Sequence, residues 1–332
     1  MVIEQAGPMN AENRRGILAM SLAMALFIAN DALVKQVSAS LPGPQLIFIR
    51  GLMATTLVLI MAQAMGHLKN WRMLLNGRLW LRGMVDAIAS LTYLTAVFHL
   101  PLGNATAINL ASPLFITVFA IFFFKERVTF QRGALILLGF SGVLMVVQPS
   151  ADGFNVYAWI CVLATLFHAT RDTLTRAIGL HVPSLLITLS TAVSVALAAG
   201  SITLTQTWVP VPGSALAMLF GASLFLSTAY YFLIVAMRAG EMSLVAPFRY
   251  SGLLFALLIG HVLWDEMPNL LAWIGIALLV GSGLTILHTE RRRQQAAARQ
   301  KADVFLAADG LADTELSHSR LPLPRVRWSR IY

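Results

Sequence analysis

Two acid–x3–base pairs stand inside sequence that is otherwise almost continuously apolar: Asp31 with Lys35, and Asp172 with Arg176. That spacing puts both members on one helix face, where they can neutralise each other, form a gate or touch a charged substrate. Arg50 in Phe48-Ile49-Arg50-Gly51 and Arg249 in Pro247-Phe248-Arg249-Tyr250 have no carboxylate within one turn. Arg50 lies near the end of its run and can snorkel towards water, whereas Arg249 lies deeper, just after a proline that frees a backbone carbonyl. Asp86 is a candidate partner for Arg249, or a carboxylate whose protonation would couple solute movement to a proton gradient. Tyr93, Phe98, Tyr230, Tyr231, Phe248 and Tyr250 recur beside these charges. Their rings can stack on a planar solute or hold a cation, or simply pack between helices.

Other chemistries are poorly supplied. His99, His168 and His261 fall on separate runs without metal-ligand spacing, and Cys161 is the lone cysteine. No glycine-rich phosphate loop follows a strand, and no nucleophile–base motif is present. The expectation is a protein that is not an enzyme and uses no metal or cofactor.

The elements that must position these charges are spans. Of 332 residues, 58% are hydrophobic and 12% charged, far below the usual quarter charged of a soluble domain. A net charge of +9 would suggest nucleic acid in a soluble protein; in a membrane protein it follows the positive-inside bias, and no nucleic-acid partner is expected. Ten runs can cross a bilayer as helices: 17–38, 44–65, 79–98, 102–124, 131–148, 155–177, 183–205, 213–237, 242–263 and 269–288. Arg14-Arg15 and the run behind it imitate a signal peptide, but Asp31 and Lys35 fall where such a signal should be clean, so the segment reads as a retained first span. Lys69, Arg72, Arg78, Arg82, Lys125, Arg127, Arg132, Arg176, Arg238 and Arg291-Arg292-Arg293 lie in or beside alternate connectors. Both termini are therefore expected on the cytoplasmic side, in a bacterial-type inner membrane. Residues 1–16 are a cytoplasmic lead-in, and 289–332 a basic, polar tail without apolar period, expected to be disordered.

The chain nearly repeats itself. Leu26-Phe27, Asp31 and Lys35 recur as Leu166-Phe167, Asp172 and Arg176; Phe124-Lys125-Glu126, Gly133 and Gly139 recur as Trp264-Asp265-Glu266, Gly275 and Gly281. Residues 17–148 and 155–288 form two five-span copies, and an odd span number makes the second enter from the opposite face. Such inverted copies give two states of similar energy, as alternating access requires. The glycines, with Gly142 and Gly283, are expected to permit close helix packing.

Ser112-Pro113-Leu114-Phe115 running to Lys125-Glu126-Arg127, with Gly133 and Gly139, and Ala246-Pro247 running to Glu266, with Gly275, resemble the drug/metabolite transporter superfamily. The likeness is to its ten-helix members with two tandem EamA repeats and covers about residues 15–288. Asn30-Asp31-Ala32-Leu33-Val34-Lys35, Phe48-Ile49-Arg50 and Ala246-Pro247-Phe248-Arg249-Tyr250 resemble a subgroup holding S-adenosylmethionine uptake carriers and vitamin carriers, riboflavin ones among them. The resemblance implies an all-α integral membrane protein and a cavity touching Asp31, Tyr93, Asn109, Asp172, Tyr231 and Arg249. It also implies secondary transport of a small organic metabolite, a nucleoside-like cofactor or vitamin being favoured, with protons as a candidate coupling ion. Amino-acid or drug efflux by the same fold is the alternative; a membrane-embedded enzyme and a non-transporting scaffold are the readings from other classes.

Overall fold

A computed structural model describes residues 11–124, 130–148, 155–176, 178, 182–238, 245–289 and 292. Residues Met1–Ile286 form one compact unit and Leu287–Tyr332 a second; the expected disorder of the tail concerns residues almost wholly outside the described set. In the first unit the elements formed by the described residues are helical, with no strand among them.

Helices start where the sequence supplies starters. The chain enters α2 (Gly43–Ala64) through Pro42, with Pro44 in its first turn. Pro101 precedes α4 (Leu102–Asn109) and Pro183 precedes α8 (Ser184–Thr203). A proline there loses nothing, since the first helical N–H groups have no intrahelical partner. A 3-10 segment, His67–Leu75, leads into α3 (Gly77–His99), where the Asn76 side chain caps the helix by accepting from the Arg78 N–H at 3.0 Å. The remaining elements are α1 (Ala11–Ser38), α5 (Ser112–Phe124), α6 (Phe130–Val147), α7 (Val156–Arg176), α9 (Gly213–Arg238), α10 (Ser251–Trp264) and α11 (Leu270–Thr289).

Among the described residues eight helical segments are long and apolar enough to cross a membrane, and the shorter Gly133–Val147 is apolar too. α7 falls outside that set because His168, Arg171, Asp172 and Arg176 crowd its second half. The fourth expected span is not one straight helix: it breaks between α4 and α5 at Leu110-Ala111, one turn ahead of Pro113, whose ring cannot donate and crowds the preceding turn. The ninth begins with a 3-10 turn, Ala246–Tyr250, that holds Pro247. Large apolar side chains stay uncovered on outward faces, among them Leu52, Ile60, Leu254, Leu258, Val262 and Leu270. Apolar surface on that scale belongs against lipid. The protein is a multi-pass membrane protein.

Helices from the two halves interleave. The most extensive packing joins α1 to α9, α2 to α8 and α3 to α7, followed by α3 with α8 and α2 with α9. α6 and α11 meet through backbone: a Cβ added to Gly142 would lie 2.6 Å from the Gly275 carbonyl oxygen, and one on Gly275 would lie 2.6 Å from the Gly142 carbonyl oxygen. Gly283 leaves room for the Tyr250 hydroxyl in the same way. Gly281, expected to serve packing, does not, since nothing lies within 4 Å of a Cβ placed there.

Gly142→Ala and Gly275→Ala are therefore expected to lower the apparent melting temperature of the purified protein, by overpacking that costs about 1–3 kcal/mol. Gly281→Ala should leave it unchanged. Thermal unfolding in detergent checks the contrast, and equal behaviour at all three positions would contradict the contact.

Candidate functional site

Charges and aromatic groups gather in three connected places. The first joins α3, α7 and α8. Asp86, its side chain 2% exposed, receives Arg171 Nη1 at 2.9 Å on Oδ1, and Arg82 Nη1 lies 3.5 Å from its Oδ2. Arg171 also binds Asp172 Oδ1, through Nη2 at 2.8 Å and Nε at 2.9 Å. Arg82 Nε donates to Thr175 Oγ1 at 2.9 Å, and Arg82 Nη1 donates to Thr191 Oγ1. Two arginines and two aspartates cancel in charge, and the threonine hydroxyls take donors that would otherwise be stranded. Both conditions are needed to keep ions in a low-dielectric interior.

The second place links α1, α2, α3, α4 and α7. Arg50, 6% exposed, donates from Nη1 to Asn30 Oδ1 at 3.0 Å, and Asn30 Nδ2 donates to Asp31 Oδ1 at 2.9 Å. The amide thus stands between cation and carboxylate as a relay. The Tyr93 hydroxyl reaches Asp31 Oδ2 over 3.4 Å, a weak contact. The Tyr93 ring meets His168 edge-on at 5.6 Å, and His168 Nδ1 bonds Asn109 Oδ1 at 2.8 Å. Buried Arg50 Nε has no hydrogen-bond partner among the described residues. Tyr230, set edge-on against Phe27 at 5.1 Å, is near enough to Arg50, Arg82, Asp86 and Arg171 to interact electrostatically with each, so it bridges the first two places.

The third place is a clasp at the C-terminal end of α1. Asp265 ends α10 in the left-handed conformation (φ 53°), with its N–H on the His261 carbonyl and the next N–H on that of Gly260. This αL cap, with the wider Glu266-to-Gly260 bond beside it, turns Glu266 back over the helix end. There Glu266 Oε1 meets Lys35 Nζ at 2.5 Å, and Oε2 accepts the Leu102 N–H at the start of α4 at 2.8 Å. Lys35 Nζ also donates to the Leu100 carbonyl at 2.7 Å and sits 4.8 Å from the Trp264 ring centroid.

Several expected partnerships are replaced. Lys35 pairs with Glu266 rather than with Asp31, because the clasp offers it a carboxylate, a carbonyl and a ring together. Asp172 pairs with Arg171; the side chain of Arg176 lies outside the described residues, as does Glu126. Arg50 does not snorkel: it is held inward by Asn30, while the Ser223 hydroxyl binds its carbonyl at 3.1 Å. Asp86 belongs to Arg82 and Arg171, not to Arg249. Arg82, read from sequence as lying beside a connector at the start of the third span, is buried in the bundle. Arg249 is exposed, forms no ion pair among the described residues, and interacts electrostatically with Asp172 and His168. Tyr231 is 37% exposed and lines a groove with Arg14 and Arg15; its neighbour Tyr230 is the ring that faces the charges. Tyr250 is buried with its hydroxyl against Gly283. Asn30, Arg82, His168 and Arg171 are members to which the sequence assigned no role in the site, and Tyr230 was named only as one of several rings beside the charges. The four-residue step from Arg82 to Asp86 and the adjacent Arg171-Asp172 were visible signals.

Asp86→Asn should leave Arg82 and Arg171 facing each other without their shared carboxylate, at a cost of about 3–5 kcal/mol. Asp172→Asn, which leaves Asp86 on Arg171, should cost less. Apparent melting temperatures of the two variants test the order, and equal losses would remove Asp86 from the centre of the network.

The EamA-like transporter family matches residues 14–148 and again 155–287. The pseudopaline exporter CntI of Pseudomonas aeruginosa (strain UCBPP-PA14) is 28% identical over 280 residues, covering 84% of this chain and 98% of the exporter. A riboflavin transporter of Rhizobium johnstonii is 29% identical over 215 residues, covering 64% and 71%. An S-adenosylmethionine uptake transporter of Rickettsia felis is 24% identical over 266 residues, covering 80% and 89%. A solved crystal structure with 19% identity covers 83% of this chain and 98% of its own, at a TM-score of 0.58, and shares the fold. An apolar helical bundle with charges neutralised inside it, matched twice along its length by one family, leaves a plain conclusion: the chain belongs to the EamA-like transporter family and is a membrane transporter, not an enzyme.

Proposed function

We propose that this transporter is a secondary carrier for a small organic metabolite bearing both charge signs, moved by alternating access across a bacterial-type inner membrane. The observation that carries the substrate reading is a division among the interior charges. Asp86, Arg82 and Arg171 are consumed by one another. Half-buried Asp31 and exposed Arg249 make no ion pair among the described residues, and they lie on the half of the bundle where Tyr93, His168 and Tyr230 present rings and polar edges. An acid and a base, each accessible and neither satisfied by the other, suit the two ends of a zwitterion, and the rings suit a planar group between them. S-adenosylmethionine, named for one relative, has that character; riboflavin, named for another, would use the rings more than the charges.

Alternating access rests on the proposed inverted repeat, which the packing supports. If the spans are numbered with α4 and α5 as the fourth, each contact of spans n and m in one half should recur with the copies exchanged. α1 with α9 then corresponds to α7 with α3, α3 with α8 corresponds to α9 with α2, and α2 with α8 maps onto itself. All of these are extensive contacts. Lys35 and Glu266, which close one end, have sequence counterparts Arg176 and Glu126 in the other copy. The alternate placement of Lys and Arg supports cytoplasmic termini. Export is the second reading of direction, favoured by the exporter among the relatives; an alternating-access carrier runs whichever way its gradients push.

Counterflow in liposomes tests the proposal without assuming a direction. Saturable exchange of labelled S-adenosylmethionine is expected, with about ten-fold or greater loss in Asp31→Asn and Arg249→Ala, since each removes a charge-assisted contact of about 1.5–3 kcal/mol. Riboflavin exchange should depend less on both. Folded Arg249→Ala protein with wild-type exchange would refute the assignment of Arg249, and a proton gradient that changes the rate in wild type but not in Asp31→Asn would identify the coupling carboxylate.

A further inference from the structure

The first turns of α1 and the last turns of α9 enclose a groove of about 470 Å³, remote from the three charged places. Arg14 and Arg15 stand at one end of it, both exposed and neither in an ion pair among the described residues. From them an apolar stripe runs down α1 at helical spacing, through Leu18, 67% exposed, and Leu22, 43% exposed. Tyr231 and Phe232 of α9 form the facing wall, with ring centroids 5.6 Å apart at 73°. The floor is a packed seam in which Ala19 and Met20 meet Ala236 and Val245, so the groove exists before anything enters it.

The order of its parts specifies a ligand. Leucines exposed on a membrane-spanning helix face acyl chains. Two guanidiniums without an ion pair among the described residues, at the end of such a stripe, meet the level where lipid phosphates lie, and a guanidinium fork matches phosphate oxygens bidentately. A hydroxyl on an otherwise apolar ring, as in Tyr231, suits the same interfacial depth. A soluble anion would use the arginines and leave the stripe idle; a neutral lipid would do the reverse. We propose that this groove binds one anionic phospholipid, with its phosphate between Arg14 and Arg15 and an acyl chain along Leu18 and Leu22. The bound lipid would join the start of α1 to the end of α9, the two helices that carry Asp31 and Tyr230.

The full-length protein, purified in non-ionic detergent, can be mixed with phosphatidylglycerol or phosphatidylcholine and its retained lipid counted by native mass spectrometry. Wild type should keep phosphatidylglycerol in preference. Arg14→Gln/Arg15→Gln should reduce that retention at least ten-fold, given about five-fold per basic residue at a lipid surface. Because the same arginines flank the first span, Leu22→Trp provides a second variant that keeps both charges and narrows the groove; it too should lower retention. Lys69→Gln/Arg72→Gln, which removes exposed charge elsewhere, should change nothing. Wild-type retention in folded Arg14→Gln/Arg15→Gln protein, or an equal loss in Lys69→Gln/Arg72→Gln, would overturn the proposal. So would displacement of the lipid by millimolar inorganic phosphate, which would make the groove a site for soluble anions.

Discussion

A carboxylate that serves two guanidiniums holds the interior together. Asp86 takes Arg171 on one oxygen and Arg82 on the other, and Arg171 passes the remainder of its charge to Asp172. In an isolated helix at the bilayer centre each of these ions would cost roughly 2.5–3.5 kcal/mol on insertion scales. Bound to one another across α3, α7 and α8, they instead require that those helices sit together. The requirement is geometric as much as energetic, because a network lacking one member leaves a charge worse placed than if the network had never formed. The charged network therefore requires α3, α7 and α8 to be neighbours, while the other helices meet mainly through apolar packing.

How far this could be read from sequence depended on the range of the interaction. Composition and long apolar runs disclosed a membrane bundle, because hydrophobic length is a local property. The internal duplication disclosed which residues were worth comparing, and Asp31 and Asp172 each take part in a polar group, although Asp86 is the centre of the second. Partnerships were another matter. Lys35 lies one turn from Asp31, yet its carboxylate comes from a position 231 residues away. Spacing on a helix says what two groups can do, whereas the tertiary contact says what else is on offer. Asn30 escaped notice for a related reason, an uncharged amide being unremarkable until a charge is placed beside it, and nothing local could separate Tyr230 from Tyr231 in their adjacent pair.

The two copies have also diverged in the way they handle the same aspartate. Ahead of Asp31 stands Asn30, which shares its amide between that carboxylate and Arg50. Ahead of Asp172 stands Arg171, which neutralises that carboxylate outright and reaches Asp86 as well. A neutral relay leaves charge to be met by a solute; a cation in the equivalent place removes it. One difference between copies thus leaves Asp31 without an ion pair among the described residues and commits Asp172 to an arginine.

The glycine contact between α6 and α11 has a mechanical meaning. Side-chain interfaces can slide, since rotamers change and new partners take over within one turn. Where carbonyl oxygens lie against the space that a Cβ would fill, as at Gly142 and Gly275, no rotamer is available to absorb a shift. In the alternating access proposed above, these two helices would act as a fulcrum rather than a moving part. Rocking about it would shift the far ends of the bundle most, so that a small rotation there would be enough to part the Lys35 clasp while the pivot itself hardly moved.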